Sequence, residues 1–207
     1  MLVSKKTINF SGKIVIASHN AGKVREIKML LEPLGLHVNS AADLELPEPL
    51  ENGKTFSANA IIKATAARDT TNLLSLADDS GLVVPTLNGA PGVYSARWAG
   101  PKKDYDVAME RIAKELAGRE PAAHFVCALA LAWPDGSCEH FEGTIHGTLV
   151  FPPRGINGFG YDPIFQPFGR LQTFGEMLPE EKHSISHRAR AFEQFCNRYL
   201  GKSSGAE

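Results

Sequence analysis

The chain has 207 residues, of which 43% are hydrophobic, and its 22 basic and 23 acidic side chains leave a formal net charge of -1. This length and composition predict one substantial core, or one core elaborated into two lobes. The near-neutral charge argues against a footprint for polymeric nucleic acid or an anionic membrane, although a small anionic ligand needs only a local basic pocket.

The apolar stretches and the cysteines limit the cellular compartments in which the protein is expected. The longest apolar stretch, Phe125 to Trp133, is too short to span a bilayer, and Met1 to Phe10 lacks the apolar region of a signal peptide. Three cysteines without a paired short spacing predict neither a disulfide framework nor a thiolate zinc site. We therefore expect a cytoplasmic protein that does not bind membranes.

The first part of the chain reads as strands that alternate with helices. Hydrophobic periodicity predicts a strand at 13–18, a helix at 23–34, a strand at 36–39, a carboxylate-bearing loop at 43–53, a helix at 55–69 and a buried strand at 73–77. The last of these strands leads directly into Asp78. The adjacent carboxylates Asp78 and Asp79 are therefore expected at the carboxyl end of a strand.

The second part of the chain predicts a long hairpin. The expected elements are an ordered loop at 88–100, a helix at 104–116, strands at 122–132 and 138–150 around a turn at 134–136, a glycine-rich loop at 152–163, a helix at 187–200 and a polar tail at 201–207. A turn this short joins only antiparallel neighbours. The prediction is an α/β protein in which helices flank a central mixed sheet.

The segment Ser18 to Lys23 connects the end of the first predicted strand to the start of the first predicted helix. Such a junction offers free backbone N–H groups and the positive end of a helix dipole, which favour phosphate, and Lys23 adds a full charge. It is not a P-loop, because Val24 follows the lysine and Ala17 stands where the first glycine belongs. The alternative is an ordinary capped turn with a solvated lysine.

Adjacent carboxylates repel each other, so burying Asp78 and Asp79 together costs free energy unless a cation or donors compensate. Mg²⁺ prefers one or two protein carboxylates plus substrate phosphates, and Glu51 in the carboxylate-bearing loop at 43–53 is a candidate second ligand. Side chains alternate along a strand, so one aspartate faces the phosphates; we expect Asp79, with Asp78 behind it or sharing the metal. The alternative is a turn that merely ends the strand.

The loop Gly158 to Pro163 combines glycines, which permit close backbone approach, with the rings of Phe159 and Tyr161, on which a base can stack. Asp162 is a candidate acceptor for a heterocycle. The alternative is a loop whose aromatic rings plug the edge of the core.

Lys182 and Arg188 are candidate donors to a phosphate or a carbonyl group, and the alternative is a solvated basic helix start. His183 and His187 have a helical spacing, but no HExxH pattern accompanies them, so zinc is not expected.

Taken together, these motifs resemble the inosine triphosphate pyrophosphatase family, which removes deaminated purine nucleotides from the triphosphate pool. The match runs from Lys13 to about Phe195. Its motifs are Ser18-x-Asn20-x-x-Lys23, Glu51-x-Gly53-x-Thr55-Phe56 with Asn59-Ala60 and Lys63, Asp78 to Leu82, Gly89 to Arg97, Gly158 to Pro163, and Lys182-x-x-x-Ser186-His187-Arg188. Residues 1–12 precede the shared core, and 13–200 form a single two-lobed domain.

The resemblance implies a homodimer with an elongated mixed sheet, in which the nucleotide lies in a cleft between two lobes and is converted to the monophosphate and pyrophosphate. It assigns the Mg²⁺ to Glu51 and Asp79, and makes Asp79 the proton acceptor for the attacking water. Phosphate-binding residues would be Ser18, His19, Asn20, Ala21, Gly22, Lys23 and Lys63, although His19 varies among relatives. Sugar and base would contact Ser80, Phe159, Gly160, Tyr161, Asp162, Lys182, His187 and Arg188.

Two other functions remain open at this point. A pyrophosphatase resembling the related Maf-type fold would keep the phosphate chemistry but prefer other modified nucleotides. A nucleotide-binding sensor would bind the triphosphate without turnover, although the intact Glu51 and Asp79 speak against it.

Overall fold

The computed structural model describes residues 12–199. The predicted amino-terminal extension, apart from Gly12, the end of the predicted last helix at Leu200 and the predicted polar tail lie outside these residues. The strands are β1 (Lys13–Ile16), β2 (His37–Ser40), β3 (Leu74–Val83), β4 (Ala122–Ala132), β5 (Cys138–Leu149) and β6 (Phe165–Pro167). The helices are α1 (Ala21–Leu31), α2 (Phe56–Thr71), α3 (Ser95–Trp98), α4 (Tyr105–Leu116), α5 (Pro179–Ile185) and α6 (His187–Tyr199).

All six strands belong to one sheet, in the order β2-β1-β3-β4-β5-β6. Strand β1 pairs in parallel with β2 and β3, whereas β3 to β6 pair antiparallel. The predicted mixed sheet of an α/β protein is confirmed. Between residues 12 and 199, none of the helices has the length and hydrophobicity that a transmembrane span requires.

Strand β3 is longer than its sequence suggests, and the prediction that Asp78 and Asp79 end a strand is wrong. Strand β1 stops at Ile16, opposite Leu76, but β4 continues to pair with β3 as far as Val83. The antiparallel neighbour supplies backbone partners, so residues that otherwise favour turns remain extended. The two aspartates therefore lie in mid-strand, just beyond the point where the parallel half of the sheet stops.

The two faces of the sheet pack against different helices. On one face, Cys127 and Leu129 of β4 pack with Ile27 of α1 and Phe195 of α6. The opposite face is built from alanines of β4 and α2, namely Ala60, Ala64, Ala128 and Ala130. Because alanine side chains are short, they allow α2 to lie close to the sheet.

A third hydrophobic cluster lies at the far end of the hairpin. Phe125 and Ile145 of the hairpin pack there with Ile112 of α4 and with Phe165 and Phe174. The cleft described below is lined from this cluster on one side and from the alanine-rich cluster on the other. The third cluster thus forms a separate wall for the site.

Helix α6 begins at His187, as predicted, and its first turn lies directly on β5 at Gly143. A Cβ atom at this glycine would overlap the carbonyl oxygen of His187 and the backbone nitrogen of Ala191. The absent side chain therefore lets the helix approach the sheet.

We predict that Gly143→Ala lowers the free energy of unfolding by about 1–3 kcal/mol, because the added methyl group must push α6 away from the sheet. Urea denaturation of both proteins measures the change. Thr144→Ala, at the next position of the same strand, is the control that does not create this overlap. Equal losses for the two variants would contradict the close-packing argument.

Candidate active site

A cleft of about 540 Å³ opens beside the middle of β3. The predicted site residues that line it are Ser18, His19, Asn20, Lys23, Glu51, Lys63, Asp79, Ser80, Phe159, Gly160, Tyr161, Asp162, Lys182, His187 and Arg188. Three predicted members do not line it: Ala21 and Gly22 belong to the first turn of α1, and Asp78 is completely buried behind the wall. Segments far apart in sequence thus meet in one cavity.

The segment from Ser18 to Lys23 forms the amino end of α1. The Oδ1 atom of Asn20 accepts a hydrogen bond from the backbone N–H of Lys23 at 3.1 Å and caps the helix. The first turn contains no acidic side chain that would neutralise the helix dipole. A Cβ atom at Gly22 would lie 2.8 Å from the ring of Phe159, so this glycine lets that ring close over the helix start.

Asp78 is paired at both of its oxygens. Its Oδ1 contacts Lys23 Nζ and accepts from Ser80 Oγ, each at 2.8 Å. Its Oδ2 accepts from Arg188 Nε at 2.8 Å and from Cys127 Sγ at 2.9 Å. Burial by itself would raise the pKa of Asp78, but Arg188 and Lys23 hold it well below its usual range. The aspartate is thus an ionised anchor for four side chains.

Asp79 points to the opposite face of β3, as the alternation predicts. Its Oδ1 lies 2.9 Å from Lys63 Nζ, and its Oδ2 accepts from Asn59 Nδ2 at 3.3 Å. The same Lys63 ammonium lies 2.7 Å from Glu51 Oε1. Burial raises the pKa of Asp79, and Lys23 and Lys63 lower it only in part. Burial also opposes the charge of Lys63, yet Asp79 and Glu51 raise its pKa overall.

The residues Glu51 and Asp79 fit a hard divalent cation. Their carboxylates already converge on one positive charge, and carboxylate oxygens are the ligands that Mg²⁺ prefers. Between residues 12 and 199, no group of three or more His, Cys, Asp or Glu side chains is arranged to hold a metal. Two carboxylates alone leave the remaining positions around the ion to substrate phosphates and water.

The opposite end of the cleft contains a second charged network. Lys182 Nζ lies 2.6 Å from Asp162 Oδ2 and 2.8 Å from Glu26 Oε1, and Glu26 also pairs with the Nη1 atom of Arg188. Burial would raise the pKa of Glu26, but Arg188 and Lys182 lower it to about 2. Burial likewise opposes the charge of Arg188, and its pKa is still raised by Asp78 and Glu26. Glu26 therefore ties α1 to α5 and α6.

His187 is a buried, neutral side chain at the start of α6. Its ring stacks on Phe125 with centroids 4.8 Å apart and an interplanar angle of 13°. Burial, together with Arg188 and Lys182, lowers its pKa well below the usual range. Its Nδ1 atom has no hydrogen-bond partner in the described part of the chain. A buried polar nitrogen is normally satisfied by a protein group, an ordered water or a ligand, so this atom lacks a partner that the cleft has to supply.

The rings of the glycine-rich loop differ in their surroundings. Tyr161 is 3% exposed, and its hydroxyl donates to the carbonyl of Ser95 at 2.8 Å. Phe159 is half-buried, and Lys182 Nζ lies 4.8 Å from its ring centroid. Asp162 accepts from the Phe159 N–H at 2.7 Å as well as from Lys182, so it fixes the loop internally. Phe159 therefore offers the more accessible ring.

Sequence reasoning assigned no role to three side chains that shape this site: Glu26, Asn59 and Cys127. Glu26 follows Lys23 by three residues, and Asn59 precedes Lys63 by four, so each shares a helical face with a residue that was predicted. That spacing is the signal that identifies both. For Cys127 the sequence predicted only the absence of a disulfide or zinc site, because its contact with Asp78 across the strand pair depends on the register of β3 and β4.

Comparisons with known proteins identify the family and the fold of this chain. Residues 14–198 match the model of the Ham1 family. A protein of Rhodospirillum centenum named dITP/XTP pyrophosphatase is 59% identical over 189 residues, which cover 89% of this chain and 93% of the relative. A protein of the same name from Zymomonas mobilis is 54% identical, with 88% and 90% covered.

Two solved structures are similar over the same region. The Ham1 protein of Staphylococcus aureus has a TM-score of 0.79 and 38% identity, with 88% of this chain and 95% of that chain covered. A HAM1 protein of Coxiella burnetii has a TM-score of 0.80 and 39% identity, with the same coverage.

We predict that Glu26→Gln destabilises the protein at neutral pH and that the difference from the wild type shrinks in acid. The pKa of Glu26 is lowered in the folded state, so its contribution is complete above its ordinary pKa of 4.5 and is lost as pH falls towards 2. Urea denaturation across this range measures the difference. Glu110→Gln, at an exposed position of α4, is the control. A difference for Glu26→Gln that does not change with pH would refute the prediction.

Proposed function

Because this chain belongs to the Ham1 family, we propose that it is a nucleoside-triphosphate pyrophosphatase acting on deaminated purine nucleotides. Its substrates are the triphosphates of inosine, deoxyinosine and xanthosine, and its products are the monophosphate and pyrophosphate. Such a reaction removes these nucleotides from the triphosphate pool. The observation that carries this proposal is the convergence of Glu51 and Asp79 on one cationic position beside the amino end of α1.

The phosphates bind between the amino end of α1 and Lys63. The dipole of α1 favours negative charge at this end of the helix. The Lys63 ammonium lies between the carboxylates of Glu51 and Asp79. From this position it attracts the same phosphate oxygens as a cation bound by those carboxylates. Lys23 is shared with Asp78, so its charge is partly compensated before any ligand arrives.

Glu51 and Asp79 hold the Mg²⁺ ion in this proposal, and Asp78 supports them from within the wall without binding the metal directly. When bound, the ion neutralises charge that develops on the phosphate oxygens. The carboxylate of Asp79 orients a water molecule and accepts its proton as the water oxygen bonds to phosphorus. The P–O bond that bridges the α- and β-phosphates breaks, so that the products are the monophosphate and pyrophosphate.

The base lies at the other end of the cleft, against Phe159. A donor from His187 or Arg188 reads the 6-oxo group, because the 6-amino group of adenine would present hydrogens to that donor. The buried Nδ1 of His187 and the fully charged guanidinium of Arg188 support this assignment. Ser80 bridges Arg188 Nη2 at 3.1 Å and Asp78 at 2.8 Å, which fixes the guanidinium in place.

We propose in addition that the protein acts as a homodimer in the cytoplasm, as the family resemblance implies. Light scattering in solution checks the dimer against the 22.4 kDa mass of one chain.

A substrate panel tests the proposed reaction. Inosine, deoxyinosine and xanthosine triphosphates should release pyrophosphate and the monophosphate in the presence of Mg²⁺. Adenosine triphosphate should be disfavoured by roughly 10⁴-fold in kcat/KM, because discrimination rests on a buried hydrogen bond. Chromatography of the products identifies both fragments.

Each other outcome of the panel has a defined meaning. Preference for a methylated pyrimidine triphosphate would favour the Maf-like alternative. Binding without pyrophosphate release from any purine triphosphate would favour a sensor and would defeat the enzyme proposal.

We predict that Asp79→Asn lowers turnover of inosine triphosphate by about 10²–10⁴-fold or more, because the amide cannot accept the proton. Nucleotide binding should remain measurable by calorimetry, since the contacts at α1 and at the base are unchanged. Asp69→Asn, at an exposed position of α2, is the matched control and should retain wild-type turnover. Near-normal turnover of Asp79→Asn would remove Asp79 from the catalytic role.

A further inference from the structure

Residues 46–53, here called the acidic loop, carry Glu51 to the cleft without belonging to a helix or strand. The loop is tied at its start, where His19 Nε2 lies 2.8 Å from the Leu46 carbonyl oxygen, and at its end, where the Gly53 N–H donates to Asn59 at 2.8 Å. The middle of the loop gains little stability from hydrophobic burial, because the Leu50 side chain is 80% exposed. The backbone around Glu51 therefore depends on some other contact for its position.

That contact comes from Arg97, on the opposite side of the cleft. Its Nη2 atom donates to the backbone carbonyl of Glu51 at 2.7 Å. This carbonyl belongs to Glu51 itself, whose side chain reaches Lys63. The hydrogen bond therefore fixes the backbone position from which the Glu51 carboxylate extends. The guanidinium also lies over the ring of Tyr94, at 5.0 Å from its centroid.

Helix α3, which carries Arg97, is itself anchored to the rigid part of the protein. Ser95 Oγ accepts from the Leu82 N–H of β3 at 3.0 Å and donates to the Gly92 carbonyl at 2.7 Å. The Ser95 carbonyl accepts from the Tyr161 hydroxyl at 2.8 Å. The strand and the glycine-rich loop thus hold α3 in place, and Arg97 connects α3 to the backbone of the acidic loop.

We propose that Arg97 is a positioning residue, which holds the acidic loop across the cleft and so sets the affinity of Glu51 and Asp79 for the divalent cation. The inference rests on the proposed function, since it takes these two carboxylates as the metal ligands. Without Arg97, the loop is tied near its two ends and through the flexible Glu51 side chain. The carboxylate must then be ordered when the cation binds, and that entropy loss weakens binding.

The test compares Arg97→Ala and Arg97→Lys with the wild type in two measurements. Mn²⁺ binding to the nucleotide-free protein should weaken by about tenfold in Arg97→Ala, which is the scale expected for a lost hydrogen bond from a charged donor. Backbone amides of residues 46–53 should exchange hydrogen faster in the metal-free protein. Arg97→Lys should restore both properties in part, because an ammonium reaches the same carbonyl with fewer donors.

Kinetics separate positioning from direct contact with the substrate. In Arg97→Ala, the Mg²⁺ concentration for half-maximal activity should rise, whereas kcat at saturating Mg²⁺ should stay close to that of the wild type. A higher KM for inosine triphosphate at unchanged cation affinity would overturn the proposal, because it would place Arg97 on the phosphates. Unchanged Mn²⁺ binding and hydrogen exchange would overturn it as well.

Two further variants isolate the cause. Arg111→Ala removes the guanidinium that lies 3.6 Å from the Trp98 ring centroid, but it leaves the Ser95 anchors of α3 and the bond from Arg97 to Glu51 in place; it should leave Mn²⁺ binding unchanged. Glu51→Gln separates the inference from the proposed function. If Glu51→Gln binds Mn²⁺ as the wild type does, the metal site itself is wrong, whereas a loss in Glu51→Gln with none in Arg97→Ala defeats only the role of Arg97.

Discussion

The buried pair of Asp78 and Arg188 is the constraint on which the rest of the site depends. An unpaired charge at either position would cost several kcal/mol, so the two must remain together once the protein has folded. Asp78 belongs to β3 and Arg188 to α6, and Lys23 adds α1 to the same carboxylate. The strand that carries Asp79 is thereby locked to α1, whose amino end is the proposed phosphate site, and to α6, which carries His187.

This arrangement has an electrostatic consequence for ligand binding. The three cations of the buried network are balanced by three carboxylates, and the members are Lys23, Lys182, Arg188, Glu26, Asp78 and Asp162. A triphosphate therefore meets little uncompensated positive charge in the wall of the cleft. In the proposed function its charge is met by the amino end of α1, by Lys63 and by a cation on Glu51 and Asp79, so the two carboxylates serve an anion through the cation they hold.

Local patterns predicted the parts of the fold that local forces determine. The long apolar run of β4 was predicted at 122–132 and lies at Ala122–Ala132, and the start of α6 at His187 was also predicted. Helix α5 was missed, because its sequence from Pro179 to Ile185 has no apolar periodicity. The extension of β3 past Asp79 was missed, because it depends on pairing with β4, about fifty residues away in sequence.

The same distinction applies to the site. The anion-favouring helix start at Ser18 to Lys23 and the side of β3 on which Asp79 lies both follow from local helix and strand geometry. Local geometry of this kind can be predicted from sequence. The role of Glu26 does not, because its partners Lys182 and Arg188 lie 156 and 162 residues away. The roles assigned to individual side chains in binding and turnover remain predictions for the experiments above.

The position of the two aspartates within β3 also limits how the chain length can vary. Because neighbouring side chains on a strand face opposite ways, adding or deleting one residue between Leu76 and Asp78 would exchange the faces of the two carboxylates. Each face would still receive one carboxylate, but one of the two would be displaced along the strand, so either the buried ion pairs or the carboxylate of the cleft would be lost. Insertions near exposed Leu50 would shift only a surface loop, so the two segments should differ sharply in their tolerance of length change.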